Sequence, residues 1–172
     1  MSEAVVIRAL DAADLADYKR LRDEMLAAHP DAFTSDAAGE SGKVPGDYLH
    51  RLGLDRDDGG QFVLGAWIGR RLVGAIGCER DERLKVRHIG HVIGMMVRPT
   101  VRRQGLGAKL LNACMDQARR AGLEMLTLTV TAGNASAVQL YERHGFVGYG
   151  TLGRAIKIGS DYHDKLHMVL VL

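Results

Sequence analysis

Apolar and polar positions alternate from Val5 to Leu10, which predicts a first strand. Asp11 can then cap a helix in which Leu15, Tyr18, Leu21 and Met25 recur at helical spacing until His29-Pro30 ends it. From Pro30 to Gly60 the pattern lapses into Asp, Gly, Ser and Pro, which reads as mobile surface with one short helix over PGDYLHRLGL. Two apolar runs, QFVLGAWI and LVGAIGCER, flank the turn GRR and predict a hairpin. HIGHVIGMMV is apolar enough to be a fourth strand buried on both faces. A helix follows from about Leu106 to Ala121, with Leu110, Cys114 and Ala118 on one side and Gly122 at its stop position. MLTLTV predicts a fifth strand, NASAVQLYERHG a short helix closed by Gly145, FVGYG a sixth strand and KLHMVLVL a last one. Strands in a row, then strand, helix, strand, helix, strand, imply an α/β chain. Its mixed sheet is covered by helices in one domain over residues 1–172, with no linker and no internal repeat.

The 172 residues are 47% hydrophobic and 26% charged, enough for a soluble core without metal or disulfide staples. A net charge of +2 is too mild to imply a nucleic-acid partner. Cys78 and Cys114 lie in apolar segments and read as small core residues of a reducing compartment, not as a bridge. MSEAVVIRAL has no basic flank before a long apolar run, and no stretch approaches the roughly 18 apolar residues of a membrane span. The expectation is a cytoplasmic protein with no signal peptide and no membrane partner. His88 and His91 stand at an odd offset on a strand and so face opposite ways, and the other histidines are scattered, so no metal site is expected.

Chemistry concentrates in VRRQGLGAKLL, where two arginines and two glycines precede an apolar helix. A helix start leaves backbone N–H groups unpaired and carries roughly half a positive charge. Gly105 and Gly107, lacking Cβ atoms, would let an anion approach those groups, and Arg102 and Arg103 add forked donors suited to phosphate oxygens. No G-x-x-x-x-G-K-[ST] occurs there, and the dinucleotide fingerprint fails because Leu110 stands where its third glycine belongs.

The order [RQ]-x-x-G-x-[GA] between a strand and a helix, filled by Arg102, Gly105 and Gly107, resembles the acyl-CoA motif of the GCN5-related N-acetyltransferases (GNAT superfamily). Met95-Met96-Val97 matches the point where that superfamily's fourth strand bulges. NASAVQLYERHGF resembles its N-x-x-A-x-x-x-Y-x-x-x-G-F segment, with Asn134, Ala137, Tyr141, Gly145 and Phe146 in register. The resemblance covers roughly residues 60 to 150. It implies a mixed, mostly antiparallel sheet of six to seven strands flanked by helices, with acetyl-CoA as co-substrate. Implied cofactor contacts are Met96, Val97, Arg102, Arg103, Gln104, Gly105, Leu106, Gly107, Asn134 and Tyr141.

It also implies acetyl transfer to a primary amine of a small molecule or a protein by direct attack. A backbone N–H near Met96 or Val97 would polarise the thioester carbonyl, and Tyr141 would protonate the departing sulfur. The base is open between His91, at a position where some members carry glutamate, Glu79 on the neighbouring strand, and water. Asn134 also reads as a helix N-cap and Tyr141 as an amphipathic helix residue. Asp36, Glu40, Asp47, Asp55, Asp57 and Asp58 either attract a cationic amine or belong to a solvated loop. Two further classes remain: a catalytically silent acyl-CoA-binding module on the same fold, and an ATP-binding protein, the latter disfavoured by the missing lysine and Ser/Thr. A homodimer is a possible assembly.

Overall fold

Seven strands form one sheet: β1 (Val5–Ala9), β2 (Phe62–Ile68), β3 (Arg71–Arg80), β4 (Ile89–Val97), β5 (Met125–Thr131), β6 (Val147–Ile158) and β7 (Asp161–Val171). The computed structural model describes residues 4–172; residues 1–3, the head of the stretch read for a leader, lie outside the described residues. The strands lie in the order β1-β2-β3-β4-β5-β7-β6, and every neighbouring pair is antiparallel except β4 with β5. Helices α1 (Leu15–Ala28), α2 (Ala37–Ser41), α3 (Leu106–Arg120) and α4 (Ala135–Arg143) flank it. The mixed, mostly antiparallel sheet expected from the sequence is therefore present. No described helix is long and apolar enough to cross a membrane.

The sheet separates two cores. On one face α3 buries Leu106, Leu110, Leu111, Cys114, Met115 and Ala118 against Ile76, Cys78, Leu126 and Met168. Each leucine so buried contributes about 1.5–3 kcal/mol, which outweighs the glycine content of the helix start. Gly122, at φ +73°, ends the helix as its position suggested. Cys78 and Cys114 are free and buried; their mutual hydrogen bond, with burial, pushes the Cys114 thiol well above its usual pKa. On the other face α1 packs Tyr18, Leu21 and Met25 against Tyr48, Leu72, Ala75 and Met96. Asp11 caps a short 3-10 turn, Ala12–Asp14, ahead of α1, and the Asp14 carboxylate accepts the Asp11 amide in return (2.9 Å).

Three expectations need correction. β4 is not buried on both faces: His91 is exposed and Ile93, Gly94, Met95 and Val97 are half-buried, because β4 loses its β5 neighbour partway along. The segment from Pro30 to Gly60 is not simply surface. It forms α2 and a 3-10 helix, Pro45–Leu52, whose Tyr48 and Leu52 complete the α1-side core. FVGYG and KLHMVLVL are the inner ends of longer strands. β6 and β7 run on as a ribbon held by their own ladder and by pairs such as Arg154 over the Tyr162 ring (3.9 Å). Most of β6 is exposed on both faces, so its outer half has no alternating pattern to read.

Candidate active site

β4 and β5 begin side by side and then part. Their ladder consists of Ile89 with Met125, Gly90 with Leu126 and His91 with Thr127. Beyond it, β4 stays with β3 as far as Val97 and β5 stays with β7 as far as Thr131. Two strand edges therefore face a wedge whose backbone groups have no partner in each other. Inside the wedge β4 bulges: Gly94 has φ +57°, and the register with β3 shifts between Ala75 and Gly77. The Arg98 amide donates to the Val73 carbonyl (2.8 Å). Successive strand amides point to opposite edges, so those of Val97 and Met95 face the wedge and that of Met96 faces β3. Of the two amides the sequence offered, only Val97's is presented.

The loop from Pro99 to Gly105 closes the wide end of the wedge. Arg103 (φ 64°) and Gly105 (φ 70°) both adopt the left-handed backbone, and Gly105 is the N-cap of α3 with no side-chain cap. The first-turn amides of α3 are thus left without a capping side chain, beside exposed Arg103 and Gln104. Apart from its own chain neighbours, no atom of the described residues lies within 4 Å of where a Gly105 Cβ would sit. Leu106 is buried and anchors the helix start. Gly107 carries a packing constraint that its sequence does not show. A Cβ there would stand 3.3 Å from both Leu140 Cδ2 and Met95 Cε, so this glycine lets α3 pack between β4 and α4. Arg102 is also engaged within the protein: its Nη2 lies 2.7 Å from His29 Nε2, and its Nε donates to the Val97 carbonyl (3.4 Å).

On the α3 side of the wedge, Asn134 Oδ1 accepts the Ala137 amide (3.3 Å), the N-cap contact expected of it. Tyr141 is 6% exposed, with its ring edge-on to Phe146 at 5.8 Å. Burial, reinforced by Cys114, pushes the Tyr141 phenol up to about 12, so it carries its proton throughout the neutral range. His91 and Glu79 lie elsewhere. They are direct cross-strand partners on the α1 face, and His91 Nδ1 is 2.6 Å from Thr127 Oγ1 at the narrow end of the wedge. Four residues separate His91 from Met95, with the Gly94 bulge among them, a span of roughly 10–13 Å.

Four of the six acidic residues singled out before β2 are engaged within the protein. Asp36 caps α2 through the Gly39 amide (2.7 Å), Asp47 accepts the Val44 amide (2.9 Å) and Asp58 pairs with Arg56 (3.0 Å). Glu40 is buried, held by Arg22 (3.1 Å), Lys43 (2.5 Å) and the Tyr48 hydroxyl (2.5 Å). Burial works to raise the Glu40 pKa, but the hydrogen bonds from Lys43, Tyr48 and Arg22 outweigh it and hold the carboxyl at about 2.

Residues 18–146 match the family model described as the acetyltransferase (GNAT) family. The chain belongs to that family. Among characterised GNAT relatives it is similar to N-alpha-acetyltransferase 30 of Schizosaccharomyces pombe, 30% identical over 101 residues, which are 59% of this chain and 67% of that protein. It is similar to the IAA acetyltransferase of Azospirillum brasilense, 34% identical over 86 residues, 50% of this chain and 56% of that one. A shorter stretch of 55 residues is 42% identical to the ribosomal protein bS18-alanine N-acetyltransferase of Escherichia coli, 32% of this chain and 37% of that one. The chain thus spans between about a third and two thirds of the length of these relatives. Among solved GNAT structures, an acetyltransferase from Streptococcus pneumoniae matches with a TM-score of 0.86 at 27% identity, covering 98% of this chain and 99% of that one. The yncA protein of Salmonella typhimurium, solved with its cofactor acetyl-CoA, shares the fold with a TM-score of 0.84 at 22% identity, over 98% and 94% of the two chains.

Three side chains beside the β4 bulge escaped the sequence as site candidates. Tyr18 Oη, Arg22 Nη1 and Arg51 Nη1 converge at 3.5, 3.8 and 3.9 Å on the point where a Gly94 Cβ would sit. An isolated glycine inside an apolar strand signals a bulge, and Gly94 carried that signal. Nothing in the spacing of residues 18, 22 and 51 could have joined them to it.

Proposed function

We propose that the protein is an acetyl-CoA-dependent N-acetyltransferase acting on a primary amine by direct attack. The observation that carries the reading is the parting of β4 from β5 after His91 and Thr127, with a bare helix N-terminus at one end and, packed against that helix start through Leu140, the helix that bears the protonated Tyr141 phenol. The residues fit the co-substrate. The uncapped amides from Gly105 through Gly107, with Arg103 and Gln104, suit a pyrophosphate, and the free β4 edge suits the amide-bearing arm that follows it. Arg102 adds positive charge there while held by His29, and Leu106 anchors the helix start. Asn134 fixes the helix that carries Tyr141.

Acetyl-CoA supplies an acyl carbon activated as a thioester. The Val97 and Met95 amides, aimed into the wedge, stabilise negative charge on an oxygen placed there. As the N–C bond forms and the C–S bond breaks, Tyr141 gives its proton to the sulfur and the ammonium proton leaves through water. His91 and Glu79, at the narrow end, are positioned to take that proton from the water chain. The test is a panel of amines and peptides with acetyl-CoA, following free thiol, beside calorimetry of acetyl-CoA binding. Thiol release that requires an amine supports the reading. Tight binding with no release for any amine would make the protein a silent acyl-CoA module, and no binding would overturn the reading.

A further inference from the structure

Over Gly94 the α1 face of the sheet holds more positive charge than it neutralises. Arg22, Lys43 and Arg51 surround the Tyr48 ring, and the carboxylate set among them is Glu40. Glu40 binds Arg22 and Lys43 but not Arg51. Among the described residues, the one hydrogen bond of the Arg51 guanidinium is to the Tyr18 hydroxyl, at 3.4 Å. Arg22 is 3% exposed, and the Nε atoms of Arg22 and Arg51 are buried with no hydrogen-bond partner among the described residues. Those sealed Nε atoms are out of a ligand's reach, but the Nη1 atoms of both arginines face the open point beside Gly94, where an anion would offset their charge. The three polar tips all point to one small space, left open because residue 94 has no side chain and has a left-handed backbone. That space adjoins Met95, whose amide faces the wedge.

We infer that Arg51 and Tyr18, backed by Arg22, bind a carboxylate of the acceptor, so that the amine acetylated is a small amino acid with its carboxylate near the nitrogen. The inference rests on the acetyltransferase reading and adds the substrate class to it. Two guanidinium groups repel a polyamine or a lysine ammonium, whereas a carboxylate can take a forked pair of bonds from Arg51. The same charges, close to the nitrogen, favour loss of its proton and so supply the neutral nucleophile that the reaction needs. A peptide N-terminus carries a neutral amide where the amino acid carries its carboxylate, which separates these two acceptors chemically.

The test compares kcat/KM, by thiol release, for the standard α-amino acids, the carboxamide of each, a short peptide and spermidine. The expected result is at least one amino acid favoured about tenfold or more over its carboxamide. Arg51→Gln should bring that ratio near one and Tyr18→Phe should reduce it, with acetyl-CoA affinity unchanged in both. Titrating the preferred amino acid into protein saturated with coenzyme A should give heat that Arg51→Gln abolishes. Carboxamides, peptide or spermidine matching the amino acids would overturn the inference while leaving an N-acetyltransferase, as would Arg51→Gln lowering both members of each pair equally. Failure of the wild-type protein to bind acetyl-CoA at all would instead remove the reading on which it rests.

Discussion

The two faces of β4 are built in opposite ways. On the α3 face the wedge is walled by glycine, backbone amides and one buried phenol, drawn from two short segments, Pro99–Gly107 and Asn134–Tyr141. On the α1 face it is walled by charged side chains from α1, α2 and the 3-10 helix, residues 18 to 51, brought over Gly94 by packing. The first face relies on backbone geometry, which few substitutions can imitate. The second relies on side-chain charge, which can change without disturbing the fold. A scaffold divided this way can keep one co-substrate and exchange acceptors.

The largest effect should come from the α3 face. Tyr141→Phe removes one hydroxyl from a packed ring, so acetyl-CoA should still bind while turnover falls by about 10² to 10⁴. Because burial and Cys114 hold this phenol at about 12, its loss of a proton should not limit the wild-type rate below about pH 10. Stopped turnover with intact calorimetric binding is the outcome to look for. Full activity in the variant would reduce Tyr141 to a packing residue and erase the contrast between the faces.

The α1 face should show itself in stability. Glu40 has a carboxyl at about 2 in the fold against 4.5 ordinarily. Its contribution is therefore complete above pH 4.5 and is lost as the pH falls toward 2, up to about 3 kcal/mol in all. Urea titrations across that range should show the decline in the wild type and a flatter course in Glu40→Gln. Equal slopes would mean that Arg22 and Lys43 do not hold the carboxylate as the distances indicate.

The sequence disclosed the α3 face almost whole, because a left-handed Gly105, an N-cap at Asn134 and a tyrosine one helix later are local events with fixed spacing. What it could not show there is the close packing at Gly107, whose neighbours Leu140 and Met95 are distant in the chain. The α1 face depends on long-range partners throughout. Glu40 looked like a solvated loop acid because the residues that bury it, Arg22 and Tyr48, belong to other elements. The β6–β7 ribbon was under-read for the converse reason, since exposed strands leave no apolar alternation. Gly107→Val sharpens the point. Leu140 and Met95 would have to shift, the α3 start would move, and the acetyl-CoA dissociation constant should rise at least about tenfold, or 1.4 kcal/mol. Unchanged calorimetric affinity would detach the helix start from the co-substrate.

The smallest effect belongs to the narrow end, where the two faces meet. His91 and Glu79 are paired across the strands, yet His91 lies roughly 10–13 Å along the bulged strand from Met95. A group that far from the nitrogen takes its proton only through water, and water can pass the proton to solvent unaided. His91→Ala should therefore lower kcat/KM by only about three- to tenfold, far less than a base in direct contact would give. If His91 and Glu79 serve one water chain, Glu79→Gln should cost a similar amount, and the double variant little more than either alone. Independent losses that multiply would assign the two residues separate roles. A loss of a hundredfold or more in His91→Ala would mean that the amine binds at the narrow end, away from Gly94, and that the α1-face cluster does not hold the acceptor.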